Sequence, residues 1–127
     1  MSAWTSDELT RIGRAEELRI TSVRPDGTLR RPVPIWVARD GDDLYVRAVN
    51  GRSASWFRGV QEHHEGHIQA GGIDSDVTAE DAGHELGDRL DTAYRAKYGR
   101  YPESVVGSVV TPAARSTTLK LTPLRRD

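Results

Sequence analysis

The sequence contains no cysteine. Disulfides, thiolate nucleophiles, cysteine-type zinc sites and iron–sulfur ligation are thereby excluded. It also lacks a long hydrophobic run. The longest apolar stretches, near Val37 and Leu44, extend three or four residues, too short for a transmembrane helix. There is no basic excess: 18 Lys and Arg stand against 19 Asp and Glu, a net charge of −1. A nucleic-acid footprint over the whole molecule is therefore not expected. No Gly-x-Ser-x-Gly elbow occurs, and no Ser/His/Asp nucleophile arrangement is recognisable. The opening MSAWTSDELTRIG has early acids and no apolar core of a signal peptide, so a cytoplasmic location is expected.

What remains is a polar, globular composition. The 127 residues are 36 % apolar and 29 % charged, the profile of one folded domain over 1–127 able to bury about 70 % of its unfolded surface. Charge is unevenly spread. Residues 24–58 hold seven arginines against four aspartates, a net +3, and residues 61–103 hold ten acids against four bases, a net −6. A local positive field on a neutral protein suits a small anionic ligand better than a polymer. A solvated face with turn acids as counter-charges is the plainer alternative.

The pattern predicts an N-terminal helix over about 5–13, with Thr5 as cap, Glu8 completing a capping box and Trp4 stapled onto Leu9. Alternation predicts strands at Leu18–Arg24, Arg30–Asp40 and Leu44–Val49. They are joined by turns at Pro25-Asp26-Gly27-Thr28 and Asp40-Gly41-Asp42, giving a three-stranded meander. In the second strand Val33, Ile35 and Val37 share one face, and Pro34, Trp36 and Ala38 the other. A short helix follows over Ser53–His64, with Gly66 as its stop. Strands His67–Gly72 and Ile73–Thr78 meet at Gly71-Gly72. A helix over Gly83–Tyr98 carries Leu86, Leu90 and Tyr94 on one face and ends at Gly99. Tyr101-Pro102 opens a loop, Thr111–Arg115 makes a helical turn, and Ser116–Leu121 is the last strand. Six strands with short flanking helices in this order define an α+β, mostly antiparallel barrel.

This order resembles the flavin-binding split β-barrels, and most of all their deazaflavin-dependent nitroreductase branch, with pyridoxamine-phosphate-oxidase-like proteins more distant. The resemblance runs over about 18–123, within an expected barrel of about 17–123. It is carried by Gly27-Thr28-Leu29-Arg30-Arg31 with Pro34-Ile35, by Asp40-Gly41-Asp42-Asp43-Leu44-Tyr45-Val46, by Ser55-Trp56-Phe57-Arg58, and by Leu119-Lys120-Leu121-Thr122-Pro123. The chain is also similar to short bacterial split-barrel proteins with no assigned reaction. The resemblance implies a six-stranded split β-barrel, a flavin mononucleotide (FMN) or deazaflavin cofactor, and hydride transfer to a small-molecule substrate. It also implies a homodimer with the cofactor at the interface. One departure stands out. Where the nitroreductase branch has Gly-Arg-Lys-Ser-Gly, this chain has Arg24-Pro25-Asp26-Gly27-Thr28. An aspartate beside a phosphodiester costs about 1 kcal/mol at surface dielectric.

Candidate cofactor-binding residues follow. Arg30 and Arg31 precede Pro34 on a strand whose prolines remove ladder donors, as at a sheet edge. Asn50, Gly51, Arg52 and Ser53 lead into a helix start, where a guanidinium fork, a hydroxyl and free N–H groups make an anion site. Trp36 and Trp56 are candidate walls for a flavin ring, with core, helix or dimer packing as alternatives. His63, His64 and His67 lie among Glu62 and Glu65, and no metal site is expected from them because Gly66 interrupts their helical spacing. Two further readings stay open: a cofactor-free split barrel that binds a small ligand or a protein, and haem binding through one of the four histidines.

Overall fold

The computed structural model describes residues 3–82 and 86–124. Helix α1 spans Ser6–Arg14. The Thr5 hydroxyl accepts from the Glu8 N–H at 3.1 Å, and the Glu8 carboxylate accepts from the Thr5 N–H at 2.9 Å, which is the expected capping box. Leu9 and Ile12 face the core, and the Trp4 indole N–H donates to the Leu121 carbonyl at 2.9 Å. The helix is thus fastened to the far end of the chain.

Among the described residues seven strands form one antiparallel sheet: β1 Leu18–Thr21, β2 Val33–Ile35, β3 Val37–Asp40, β4 Asp43–Val46, β5 Glu65–Ala70, β6 Ile73–Asp81 and β7 Leu119–Pro123. Their spatial order is β2-β1-β5-β6-β7-β4-β3. The strands at the two ends of that order, β2 and β3, are separated in the chain by Trp36 alone. A single bent stretch therefore closes the sheet into a split barrel, and the α+β split-barrel class is the observed one.

The expected count of six is corrected to seven. The strand expected over Arg30–Asp40 begins only at Val33, after Pro32, which offers no N–H to a ladder, and it breaks at Trp36, where the chain changes pairing partner. Its first half pairs with β1 and its second with β4. Counted as one bent strand, the two halves restore six. The first strand is shorter than Leu18–Arg24, with only a single bridge, Val23 to Leu29, beyond it. The third ends at Val46, since Arg47 and Ala48 turn to the hydroxyls of Thr118 and Thr117. The last strand is shifted to Leu119–Pro123, because the hydroxyls of Ser116, Thr117 and Thr118 are held on carbonyls of the preceding helical turn.

Helix α2 spans Ser55–His63 and follows a 3₁₀ turn at Gly51–Ser53. Gly66 is not its stop. His64, at φ 57°, reverses the chain, and Gly66 lies within β5. Helix α3 covers Gly87–Tyr98; the start expected at Gly83 lies outside the described residues. The segment after Tyr101-Pro102 is not a plain loop but a short helix, α4 (Glu103–Val106), and a 3₁₀ turn. Helix α5 is Pro112–Arg115, capped by the Thr111 hydroxyl on the Ala114 N–H at 3.1 Å.

Two apolar clusters result. The barrel interior packs Leu18, Ile20, Val37, Leu44, Val46, Ile68, Val77, Leu119 and Leu121 with Phe57, Val60 and Trp56 of α2. The second cluster lies outside the barrel, where Trp36 and Ala38 meet Tyr94 and Tyr98 of α3 and Val106 and Val109. The two faces of the bent strand thus feed different cores, as the alternation predicts.

Candidate functional site

A cavity of about 490 Å³ opens where the barrel splits. The segment Val33–Trp36 forms one wall. Val49 and Asn50 after β4 form the floor with Arg47, and Ala54, Ser55 and Trp56 at the start of α2 form the other wall. Val105 and Ser108 complete the rim. The lining is mainly apolar and aromatic, and its size lies in the range of small-molecule sites, about 300–1,000 Å³.

Each wall has a local cause. Trp36 sits at the strand break, with its ring stacked on Tyr98 at 3.9 Å between centroids and 2° between planes. It is therefore helix-packed and cavity-lining at once, and α3 covers much of the face that sequence reasoning leaves open to a partner. Trp56 is buried in the barrel core and meets Phe57 edge-on at 6.0 Å. The N-cap of α2 is Ala54, which has no side chain to bond the first-turn N–H groups. The residues carrying the helix start line the cavity. An uncapped N-terminus with the positive end of the helix dipole favours a compact anionic group.

Arg47 is the cation of the lining, and its side chain is fully buried. It donates to Asp91 at 2.5 Å, to the Thr118 hydroxyl at 3.0 Å, and to the carbonyls of Val109 and Gly87 at 3.1 and 3.3 Å. Asp91 also pairs with Arg115. A buried guanidinium needs such partners, since an unpaired one costs several kcal/mol, about 3–5 by loss of its mate. The network joins β4, α3 and the segment before β7 beneath the cavity floor.

Of the sequence candidates, the structure brings Pro34, Trp36, Asn50 and Trp56 together on the lining. Gly51, Arg52 and Ser53 lie in the adjoining 3₁₀ turn, outside it. Gly51 takes φ 74° there. The Arg52 guanidinium donates to the Ser116 carbonyl at 2.7 Å and lies over the Phe57 ring, and the Ser53 hydroxyl donates to the Asn50 carbonyl at 3.2 Å. Arg31 is exposed and does not line the cavity. Arg30 runs against Gly59 of α2, with its Nε buried and without a hydrogen-bond partner beside the equally unpartnered Ser22 hydroxyl. Asp26 accepts from the Thr28 N–H at 3.0 Å and the Thr28 hydroxyl at 2.7 Å. Its carboxylate closes the β1–β2 turn, away from the cavity lining.

Sequence reasoning missed Arg47, Val49, Ser55, Val105 and Ser108. A signal for Arg47 existed: an arginine inside Leu44-Tyr45-Val46-Arg47-Ala48-Val49 is buried with its strand and must be paired. His67 sits on β5 between Asp74 and Asp76. Burial lowers its pKa, but the hydrogen bonds and charges of the two aspartates outweigh that and raise it. None of the described histidines lines the cavity, so a haem there has no described histidine on its wall. No described helix is long and apolar enough to cross a membrane.

The bent closing strand and the opening beside it make this molecule a split β-barrel. Solved structures that share the fold include an F420 reductase, a heme storage protein and an FAD-binding protein. The F420 reductase is 16 % identical, with TM-score 0.57 over 92 % of this chain and 93 % of its own. HutZ, the heme storage protein from Vibrio cholerae, is 12 % identical, with TM-score 0.57 over 100 % and 92 %. The FAD-binding protein, from Mesorhizobium loti, is 17 % identical, with TM-score 0.51 over 98 % and 92 %. Among curated proteins no sequence matches this one. The chain belongs to the family described as "Uncharacterized protein conserved in bacteria" (DUF2255), whose profile matches residues 8–121.

Proposed function

We propose that the cavity binds a flavin-type cofactor and that the protein is an oxidoreductase acting on a small molecule. The observation that carries this reading is the composition of the walls: Trp36 on one wall and Trp56 on the other face an apolar space, and the uncapped start of α2 lies beside Trp56. A flat ring with one compact anionic end matches that arrangement. The F420 reductase and the FAD-binding protein of the same fold lend support through their names alone.

The cofactor would supply the hydride chemistry when bound. The chain's own residues bind and orient. Trp36 and Trp56 exclude water from the ring site, the α2 N–H groups and Ser55 meet the anionic end, and Asn50 offers an amide to a polar edge. Arg47 places a positive charge under the floor. The sequence candidates Arg30, Arg31 and Arg52 do not reach the lining, so cations for a long, multiply anionic tail are few. We therefore favour FMN over a deazaflavin. Fluorescence-quenching titrations of the two decide the order: FMN is expected to bind at least as tightly, and tight binding of the deazaflavin alone would reverse it. If neither binds at millimolar concentration, the oxidoreductase reading fails. The same shortage of free cations favours, as second reading, a cofactor-free small-ligand module.

A symmetric homodimer belongs to this proposal. Val49 and Val105, both on the cavity lining, are 49 % and 40 % exposed, and isologous pairing would cover such a surface twice with one patch. Sedimentation at micromolar concentration is expected to give twice the chain mass, and a clean monomer would overturn the dimer.

A further inference from the structure

Trp36 differs from the other cavity tryptophan in what stands behind it. Its indole is stacked on Tyr98, and Tyr101 lies 5.2 Å from Trp36 and 6.2 Å from Tyr98, between ring centroids. Tyr98 is buried and Tyr101 is half-buried. A contiguous set of oxidisable rings thus leads from the cavity wall toward the surface. Among the described residues the ring beside Trp56 is Phe57, which is far harder to oxidise.

We propose that Trp36, Tyr98 and Tyr101 form a relay that carries oxidising equivalents out of the cavity one electron at a time. The proposal rests on the reading that the cavity holds a redox-active, flavin-type group. In the first step a one-electron oxidant in the cavity, a photoexcited flavin or a peroxide-derived species, removes an electron from the Trp36 indole. Tyr101 then returns one electron to Trp36, directly or through Tyr98. Its phenolic proton passes to water, leaving a neutral tyrosyl radical. A soluble thiol restores Tyr101 by giving up one electron and one proton, and itself becomes the thiyl radical.

The surroundings select Tyr101 as the terminus. The Tyr98 hydroxyl donates to the carbonyl of Glu16 at 3.0 Å and approaches that of Val37 at 3.4 Å, and it accepts from the Val37 N–H at 3.3 Å. A backbone carbonyl does not take up a proton, so oxidised Tyr98 has no bonded partner to neutralise it. The Lys97 ammonium stands 4.9 Å from the Tyr98 ring centre and raises the cost of a cationic radical there, whereas Tyr101, with the Arg100 guanidinium 5.0 Å from its ring centre, becomes a neutral radical by releasing its proton to water. Tyr98 does not keep the radical, and Tyr101 holds it at the surface.

The relay can be tested without any cofactor. Azidyl radicals made by pulse radiolysis oxidise indoles selectively. In the full-length protein the tryptophanyl signal is expected to convert to a tyrosyl signal at a rate independent of protein concentration. The conversion is lost in Tyr101→Phe, a half-buried change at the surface end that spares the core, and in Trp36→Phe, and is kept in Trp56→Phe. No conversion in the unaltered protein, or equal conversion in Trp36→Phe or Tyr101→Phe, overturns the relay. A second arm equilibrates the protein with FMN by dialysis and then flashes it. Failure to retain FMN sinks the occupant reading alone, because the radiolysis result stands apart from it. Retained FMN with no tyrosyl radical after the flash sinks the relay.

Discussion

Lys97 shows how a single side chain reads its surroundings. It sits at the end of α3, donates to the Val37 carbonyl at 2.9 Å and lies over the Tyr98 ring. Burial pushes its pKa down to about 8, with the nearby charge of Glu16 acting weakly in the other direction. Between about 8 and the ordinary lysine value of 10.5 the unfolded chain holds a proton that the folded chain has released. Stability therefore rises with pH across that window. Tyr94 and Tyr98 act oppositely. Burial raises both phenols above 10, so their ionisation in the unfolded chain lowers stability from about that pH upward. Thermal unfolding followed from pH 7 to 11 is expected to show a rise and then a fall. Lys97→Met is expected to remove the rise and leave the fall. A rise unchanged in that variant would show that another group titrates. Nothing in the sequence pointed to Lys97, because its environment is made by a strand sixty residues away.

At the scale of elements, the turn between β5 and β6 was legible, and its tertiary role was not. The Gly71-Gly72 pair marks a reversal by residue chemistry alone, and both residues take positive φ, 57° and 85°. What the pair does not reveal is the α1 backbone pressed on it. A Cβ at Gly71 would stand 2.3 Å from the Arg11 carbonyl oxygen, whereas one at Gly72 would meet only the flexible end of the Arg11 side chain at 3.7 Å. Gly71→Ala is therefore expected to cost about 2 kcal/mol or more, from the left-handed backbone and the displacement of α1 together. Gly72→Ala should show the backbone cost alone. Urea titration of the two variants separates them, and equal losses would mean that α1 yields freely. The same division runs through the other elements. The capping box at Thr5 and Glu8, the helix over Leu90 and Tyr94, and the two faces of Val33–Ala38 were readable, since each is written in residues a few positions apart. The break at Trp36 and the stop at His64 were not. Each depends on which distant strand the chain pairs with next.

For the molecule as a whole, the closing stretch β2–β3 has a further result. An open sheet leaves two edges with unpaired backbone groups, ready to recruit a strand from another molecule. Here the two edges belong to neighbouring residues, and both are short, three and four residues long. The β2 edge carries Pro34, which has no N–H to offer. The β3 edge is occupied by side chains of α3. The Tyr98 hydroxyl accepts from the Val37 N–H, Lys97 donates to the Val37 carbonyl, and the Tyr94 hydroxyl donates to the Trp36 carbonyl at 3.3 Å. The helix thereby does for the edge what another strand would otherwise do. The split that opens the cavity is thus protected against runaway strand addition, and the incomplete closure of the barrel does not leave a free sheet edge there.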